Sequence, residues 1–349
     1  MPLRNKLVIY TPTYHKSTGL QYRLSMLIKT LKENGYEVHL YVDEHETLIR
    51  GLYNRFARYL LKYEYTWEFI GKHIANKVLK YNPDIVFLTI DTTAGAIPLL
   101  KSKGTKTVLL LEDLTVDWLQ IIGRTRERIL KHLSEYASQA DIVVVPSREF
   151  GDKVRKELGI VSIVCPPGLE LKISLKEALL RPLDKIYILH ARQIEHPMEA
   201  QLLELIAKQL PENKYVLYAL KAGRYYTNVK SRKIYWYYYP TPEEAVKHLK
   251  KYHIGLIATP RNAPTFTSYW FHLSLLQPLI TITPKPIETG NSIYITPKEF
   301  LKKPWTIRNF INNIVSRYFS MVKDLYKNVL AHERSNAHKK LIDILKEIN

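Results

Sequence analysis

Apolar positions along this chain cluster in short β-branched runs, separated by stretches with the 3.6-residue rhythm of amphipathic helices. In the first half the runs fall at Lys6–Thr11, Glu37–Val42, Asp84–Ile90, Thr107–Leu111 and Asp141–Val145, with a helix over Leu20–Asn34 and a Tyr- and Arg-rich helical region near 47–81. Runs this short and rich in Val and Ile read as strands, and strands alternating with helices build a mostly parallel sheet. The second half repeats the grammar, with strands at Lys185–Ala191, Lys214–Ala219, Lys233–Tyr238, Ile254–Ala258 and Leu279–Ile282. Its helices are expected at Met198–Gln209, Pro242–Tyr252 and Ser268–Leu276. The tail from about 305 to 349 reads as helical, because Ile307, Phe310, Ile311, Ile314 and Val315 are spaced for one buried face.

Between the halves, residues 140–172 spell a strand, a Ser turn, an amphipathic helix and a second short strand ending in Pro166-Pro167-Gly168. Ser147 stands where a helix N-cap is wanted, Glu149 follows in the first turn, Val154 and Leu158 recur four apart, and Gly159 stops the helix. A chain of 349 residues exceeds the size at which one core stops growing, so two domains follow, with 168–184 as the linker. Ligands of open α/β sheets sit beyond the carboxyl ends of the strands, which makes the crevice between the two folds the expected site.

Composition narrows the partners. With 46% hydrophobic and 24% charged residues, the balance is that of a soluble globular protein, and no run reaches the roughly 18 to 20 apolar residues of a membrane span. The start MPLRNKLVIYT enters a strand directly, without the apolar region of a signal peptide, so a cytoplasmic home is expected. Cys165 is the sole cysteine, in keeping with a reducing compartment and excluding a cysteine-rich metal site. The 12 histidines show no metal-ligand spacing. A formal net charge of +19 favours anionic partners: nucleotide diphosphates, an acidic membrane surface or nucleic acid. No recognised nucleic-acid module is present, so no specific nucleic-acid partner is expected.

Several segments share one resemblance. The 140–172 unit resembles the hinge of retaining glycosyltransferases of the GT-B fold, family 4, where a strand, a Ser, a helix and a "PNG" triplet succeed one another; Pro167 stands in place of the Asn. Lys29–Leu40 resembles that family's "L…L…GHEV" segment, and residues 254–282 resemble its diagnostic donor-site text, anchored on Pro278-Leu279-Ile280. The order holds over nearly the whole chain. The resemblance implies an α/β protein of two Rossmann-like domains with parallel sheets, an interdomain cleft and C-terminal helices crossing back to the first domain. The domains would be 1–170 on the acceptor side, 171–310 on the nucleotide-sugar side, and 311–349 as helices packing back on the first.

The activity implied is transfer of a sugar from a nucleotide-sugar donor to a hydroxyl acceptor (glycan, lipid-linked molecule or protein), with retention, no cofactor and no metal. At 108–118, VLLLEDLTVDW occupies the place of the family's strand-His-Asp, so Glu112 and Asp113 are the catalytic candidates; capping of the following turn is the other reading. Arg192, after the strand at Ile186–Ala191, resembles the "Gly-Arg…Lys" phosphate clamp. The Lys is absent, with His196 or a basic side chain such as Lys221 as its substitute, and a structural ion pair is the alternative for Arg192. Thr265, Phe266, Thr267 and Ser268 begin a helix whose amides and hydroxyls suit a phosphate. Tyr238 and Tyr239, at the end of the run Tyr235-Trp236-Tyr237-Tyr238-Tyr239, are candidates for the base pocket, with core filling as the alternative. Thr18 and Gly19 close a polar loop that stands where the family's Gly-rich loop borders acceptor and donor; a plain turn with a helix cap is the other reading.

The chain departs most from the family at its two signature glutamates, which fall on Ala263 and Phe271. That departure opens a second reading, a non-catalytic GT-B descendant that binds nucleotide, glycan or a protein partner. The basic, aromatic-rich stretch from Arg50 to Lys80 suits either peripheral contact with an anionic membrane or a solvated helix face.

Overall fold

The structure, a computed structural model, describes residues 5–12, 18–43, 63–112, 114–118, 122–221, 223–238, 250–260, 266–286, 292–331 and 334–348. Its contacts divide the chain into two compact units, 1–168 with 334–349, and 169–333.

The first unit runs β1 (Lys6–Thr11), α1 (Thr18–Glu33), β2 (Glu37–Val42), α2 (Tyr63–Val78), β3 (Ile85–Thr89), α3 (Ile97–Ser102), β4 (Lys106–Leu110), α4 (Thr115–Trp118), α5 (Gly123–Ala137), β5 (Ile142–Val145), α6 (Arg148–Leu158) and β6 (Ile163–Val164). Its six strands are parallel in the order β2-β1-β3-β4-β5-β6. The central strands are buried on both faces, which is why they read as unbroken apolar runs rather than alternating ones. One face carries Val8, Val86, Leu88 and Leu109, and the other carries Leu7, Ile9, Phe87 and Leu110 beneath Leu24, Leu27 and Leu31 of α1. The α6 signals act as the sequence implies: Ser147 Oγ accepts from Phe150 N at 3.2 Å, and Gly159 takes φ 70° to end the helix.

The second unit runs α7 (Leu175–Leu179), β7 (Ile186–His190), α8 (Pro197–Gln209), β8 (Tyr215–Leu220), β9 (Ile234–Tyr237), β10 (Ile254–Ala258), α9 (Phe266–Ser274), β11 (Leu279–Ile282), β12 (Ser292–Ile295), α10 (Pro297–Lys302), α11 (Thr306–Ser316) and α12 (Tyr318–Ala331). Its sheet, also parallel, is ordered β12-β11-β10-β7-β8-β9. Counted within the unit this is the dinucleotide-fold order 3-2-1-4-5-6, whose switch point lies between β7 and β10. Strand β12, of four half-buried residues, is an element that the periodicity does not announce. The expected helix Pro242–Tyr252 falls mostly outside the described residues.

The tail divides between the units rather than joining the first from residue 311. Helices α11 and α12 belong to the second unit, where Arg181 Nη1 donates to Tyr318 Oη at 2.9 Å and Arg181 Nη2 donates to Leu275 O at 2.7 Å. Only α13 (Arg334–Ile348) belongs to the first, inserting Leu341, Ile342 and Leu345 into the core beneath α1. Its His338 is buried, one ring nitrogen 2.8 Å from Thr30 Oγ1 and the other donating to Pro167 O at 3.2 Å. Among the described residues no helix is long and apolar enough to cross a membrane.

Candidate functional site

At the carboxyl edge of the second sheet, β7 ends in His190 and the chain continues through Ala191 to Arg192. Eight residues after Ala191 comes Glu199, in the first turn of α8 and 0% exposed. One carboxylate oxygen, Oε2, accepts from the backbone N–H of Glu195 at 2.6 Å and of His196 at 3.0 Å; the other, Oε1, accepts from Arg192 Nε at 3.3 Å. A buried carboxylate is stable only when paired and hydrogen-bonded, and Glu199 meets both conditions. The pair takes only the Nε of Arg192. Its two Nη groups have no partner among the described residues, and the side chain is 16% exposed. A guanidinium anchored by Nε keeps Nη1 and Nη2 as a planar pair of donors, a geometry that can meet an oxyanion through two hydrogen bonds.

His196 serves the same turn. Its Nδ1 accepts from Met198 N at 3.1 Å, completing a capping box with Glu199, and Pro197 occupies the first helical turn. Only Nε2 of His196 is left to offer a ligand. Behind the fork, His190 is fully buried; burial first, then the charges of Arg192 and His272, lower its pKa to about 4 against the opposing pull of Glu199 and the Ala258 backbone. Although the Ala258 backbone is near enough to act on it, neither ring nitrogen reaches hydrogen-bond geometry. His272 on α9 is also buried with a pKa near 4, through desolvation opposed by its 2.7 Å hydrogen bond to Gln277 Oε1. A Cβ at position 255 would stand 2.7 Å from the His272 ring, so β10 carries Gly255 there.

Several other expected residues lie wholly or partly outside the described residues. Phe266, Thr267 and Ser268 form the first turn of α9, with side chains outside the described residues, as is Thr265 altogether. Tyr238 is 69% exposed just after β9, Tyr237 is buried against Tyr252 and Phe271, and Tyr239 lies outside the described residues. Phe271 is therefore a core residue of this unit. Ala263 lies outside the described residues.

In the first unit, Glu112 follows β4 and forms an ion pair with Arg23 Nη1 from α1. Arg23 is 2% exposed and its Nη2 donates to Cys165 O at 3.1 Å. Asp113 lies outside the described residues, while Thr18 and Gly19 open α1 with side chains that are not described. At the end of β3, Ile90 holds φ 77°, a left-handed conformation that costs a β-branched residue of order 1–3 kcal/mol. Next to it the buried Asp91 accepts from Thr115 N at 2.7 Å and Thr115 Oγ1 at 2.5 Å. Cys165 is buried, and desolvation pushes its thiol up to about 11, which leaves it inert. Of the Arg50–Lys80 stretch, residues 50–62 lie outside the described residues; in the rest, Trp67 is buried in the core.

Sequence reasoning did not single out Glu199, Arg23, Asp91 or Ile90. Glu199 had a signal, since His-Pro-x-Glu has the spacing of a capping box with Pro at the first helical position. The other three had none: Arg23 and Asp91 find their partners on distant elements, and no local pattern marks the positive φ of Ile90. Among the described residues, no group of three or more His, Cys, Asp or Glu side chains gathers as a metal centre.

No protein-family profile matches the chain, and no curated protein matches it in sequence. Solved structures match over almost its full length. Sucrose-phosphate synthase from Thermosynechococcus elongatus aligns with a TM-score of 0.71 at 12% identity, covering 99% of each chain. An α,α-trehalose-phosphate synthase (UDP-forming) from Burkholderia vietnamiensis gives 0.69 at 9% identity, again over 99% of each. HepE from Anabaena, in complex with UDP and glucose, gives 0.66 at 10% identity, over 99% of this chain and 100% of its own. At these identities the likeness is one of fold: the chain has the paired Rossmann-like architecture of GT-B glycosyltransferases.

Proposed function

We propose that this chain is a glycosyltransferase that moves a sugar from a nucleotide-sugar donor to a hydroxyl acceptor, retaining the anomeric configuration and using no bound metal. The observation that carries the reading is the Arg192 fork, oriented through Nε by the buried Glu199 and open at both Nη groups, at the carboxyl end of β7. That strand borders the switch point, where ligands of such sheets dock. The HepE structure described as holding UDP-glucose supports a nucleotide sugar as the donor class. In the transfer, the bond from the anomeric carbon to the diphosphate oxygen breaks and its electron pair leaves with the diphosphate, while the acceptor oxygen bonds to that carbon and its hydroxyl proton passes to a phosphate oxygen of the departing diphosphate. Charge thus grows on the leaving group, and a pre-aimed guanidinium counts most where charge develops. A glycan or lipid-linked molecule is the proposed acceptor, with contact at an anionic membrane as one setting for the latter.

A second reading, a non-catalytic relative that binds nucleotide, glycan or a protein partner, draws on two observations. Phe271 fills core where the resembling family carries a glutamate, and Glu112 is engaged by Arg23. Melting the protein with UDP, GDP, ADP and their sugar conjugates, then assaying release of nucleoside diphosphate, separates the two readings. We expect at least one diphosphate to raise the melting point, since a ligand at 100-fold its Kd adds about 2.7 kcal/mol. Arg192→Ala should remove that shift, and the matching sugar conjugate should turn over. Binding without turnover favours the second reading; no shift with any diphosphate overturns the first.

A further inference from the structure

We infer that the cation missing from the loop after Arg192 is supplied by the neighbouring strand: Lys221 and Arg224, on the loop after β8, complete a site for two linked phosphates. This rests on the proposed function, and the residues in question all lie in the second unit.

The loop from Lys221 to Lys233 contains five cations, Lys221, Arg224, Lys230, Arg232 and Lys233, and no carboxylate. Strand β8 lies directly beside β7, with His190 opposite Ala219. On its other side β8 stays paired with β9 one residue further, where Lys221 N donates to Tyr237 O at 2.8 Å. Counting on from the last β7–β8 pair, His190 and Ala219, brings Lys221 level with Arg192. By strand alternation Lys221 shares the face of Ala219 and His190, away from the cluster that buries Leu189, Ala191 and Leu220. His190 feels the charges of both Arg192 and Glu199, so the Arg192–Glu199 pair borders that same face.

Arg224 is brought to this corner by backbone packing. Gly223, at φ 102°, lies so close to the loop after Arg192 that a Cβ there would stand 2.5 Å from Ile194 N and O. Tyr225 N then donates to Ile194 O at 2.9 Å. The residue between them is thus held against the segment that begins at Arg192. Both Lys221 and Arg224 are exposed, and neither has a carboxylate partner among the described residues. The acids nearby are committed: Glu199 to Arg192 and two amides, Glu204 to the amides of Lys230 and Ser231, and Glu195 to an interaction of its own. Lys233, at the far end of the loop, is 3.6 Å from Glu212. Two cations without a carboxylate partner, Lys221 and Arg224, beside an Arg192 whose Nη groups stay open while Glu199 holds its Nε, suit a ligand carrying several negative charges on adjacent groups. A single phosphate can satisfy the Arg192 fork, whereas a diphosphate can reach both strands.

The test titrates the full-length protein with inorganic pyrophosphate, orthophosphate and UDP. Wild type should bind pyrophosphate at least about tenfold more tightly than orthophosphate, roughly the value of one added charge-assisted contact. Lys221→Ala and Arg224→Ala should each weaken pyrophosphate and UDP about tenfold while leaving orthophosphate nearly unchanged. Lys221→Arg should restore most of the loss, and Arg232→Ala serves as a charge control without effect. If both alanine variants bind pyrophosphate and UDP like wild type while Arg192→Ala loses them, this inference is overturned and the proposed function stands. If wild type binds neither pyrophosphate nor UDP, GDP or ADP, the proposed function falls with it.

Discussion

Each unit of this molecule pairs a buried or nearly buried arginine with a glutamate near the carboxyl edge of its sheet, and the two pairs differ in what they leave over. In the first, Arg23 gives Nη1 to Glu112 and Nη2 to Cys165 O, so the fork is spent inside the protein and ties α1 to the segment ahead of Gly168. In the second, Glu199 takes only the Nε of Arg192 and is itself held by two backbone amides, so the fork stays open. The same two residue types make a staple in one unit and a candidate anion site in the other. Which nitrogens the carboxylate occupies decides between them.

The largest test of this contrast removes one member from each pair. Glu199→Ala and Arg23→Ala should each destabilise their own unit by about 3–5 kcal/mol, the range for orphaning one partner of a buried charged pair, as read by urea denaturation. Nucleoside diphosphate binding should be lost in Glu199→Ala and kept in Arg23→Ala under conditions where both are folded. Equal loss of binding in the two variants would remove the distinction.

Acid separates the units next. Burial lowers the pKa of His190, His272 and His253, all in the second unit, to about 4 each. His253 is fixed in its neutral form, accepting from Tyr187 N at 3.1 Å and donating to Pro182 O at 2.8 Å. Below the usual histidine value near 6.5 the unfolded chain takes up protons that the folded unit refuses. The second unit should therefore lose stability as pH falls from about 6.5 towards 4, by roughly 3 kcal/mol per histidine, and keep it at neutral pH. Calorimetry between pH 7 and 4 should show the transition of the second unit moving down ahead of the first. His190→Gln should flatten that slope, and coincident acid shifts of both transitions would contradict it.

The smallest effect probes a local signal. Ser147→Ala removes the N-cap of α6 and should cost about 1 kcal/mol in the first unit, with no change in diphosphate affinity.

Much of the fold was readable from the chain because its strands are central and parallel. Strands buried on both faces must be apolar throughout, and Leu7–Tyr10, Ile142–Val145 and Ile254–Ala258 are buried at every position. Half-buried Ser292–Ile295 carries a weaker pattern and went unread. The helix from Gly123 to Ala137 also went unread; its amphipathic face is interrupted by charges such as Arg126, which pairs with Asp117 at 3.0 Å and Glu157 at 2.8 Å. For the site, Arg192 was legible from its place after a strand. Whether that arginine enters an internal ion pair was not, since its partner Glu199 comes from the following helix and takes only its Nε.

The sequence alone determined two α/β units, the strands at their centres, the capped helix before the crossing and the position of Arg192, because these follow from local periodicity, capping and turn chemistry. Tertiary structure decided the division of the C-terminal helices, the closure of the Arg23 fork, the strained Ile90 and the meeting of the loop after β8 with that after Arg192. Each of these depends on residues far apart in the chain, and no local pattern encodes which carboxylate, carbonyl or neighbouring strand folding brings to a given side chain.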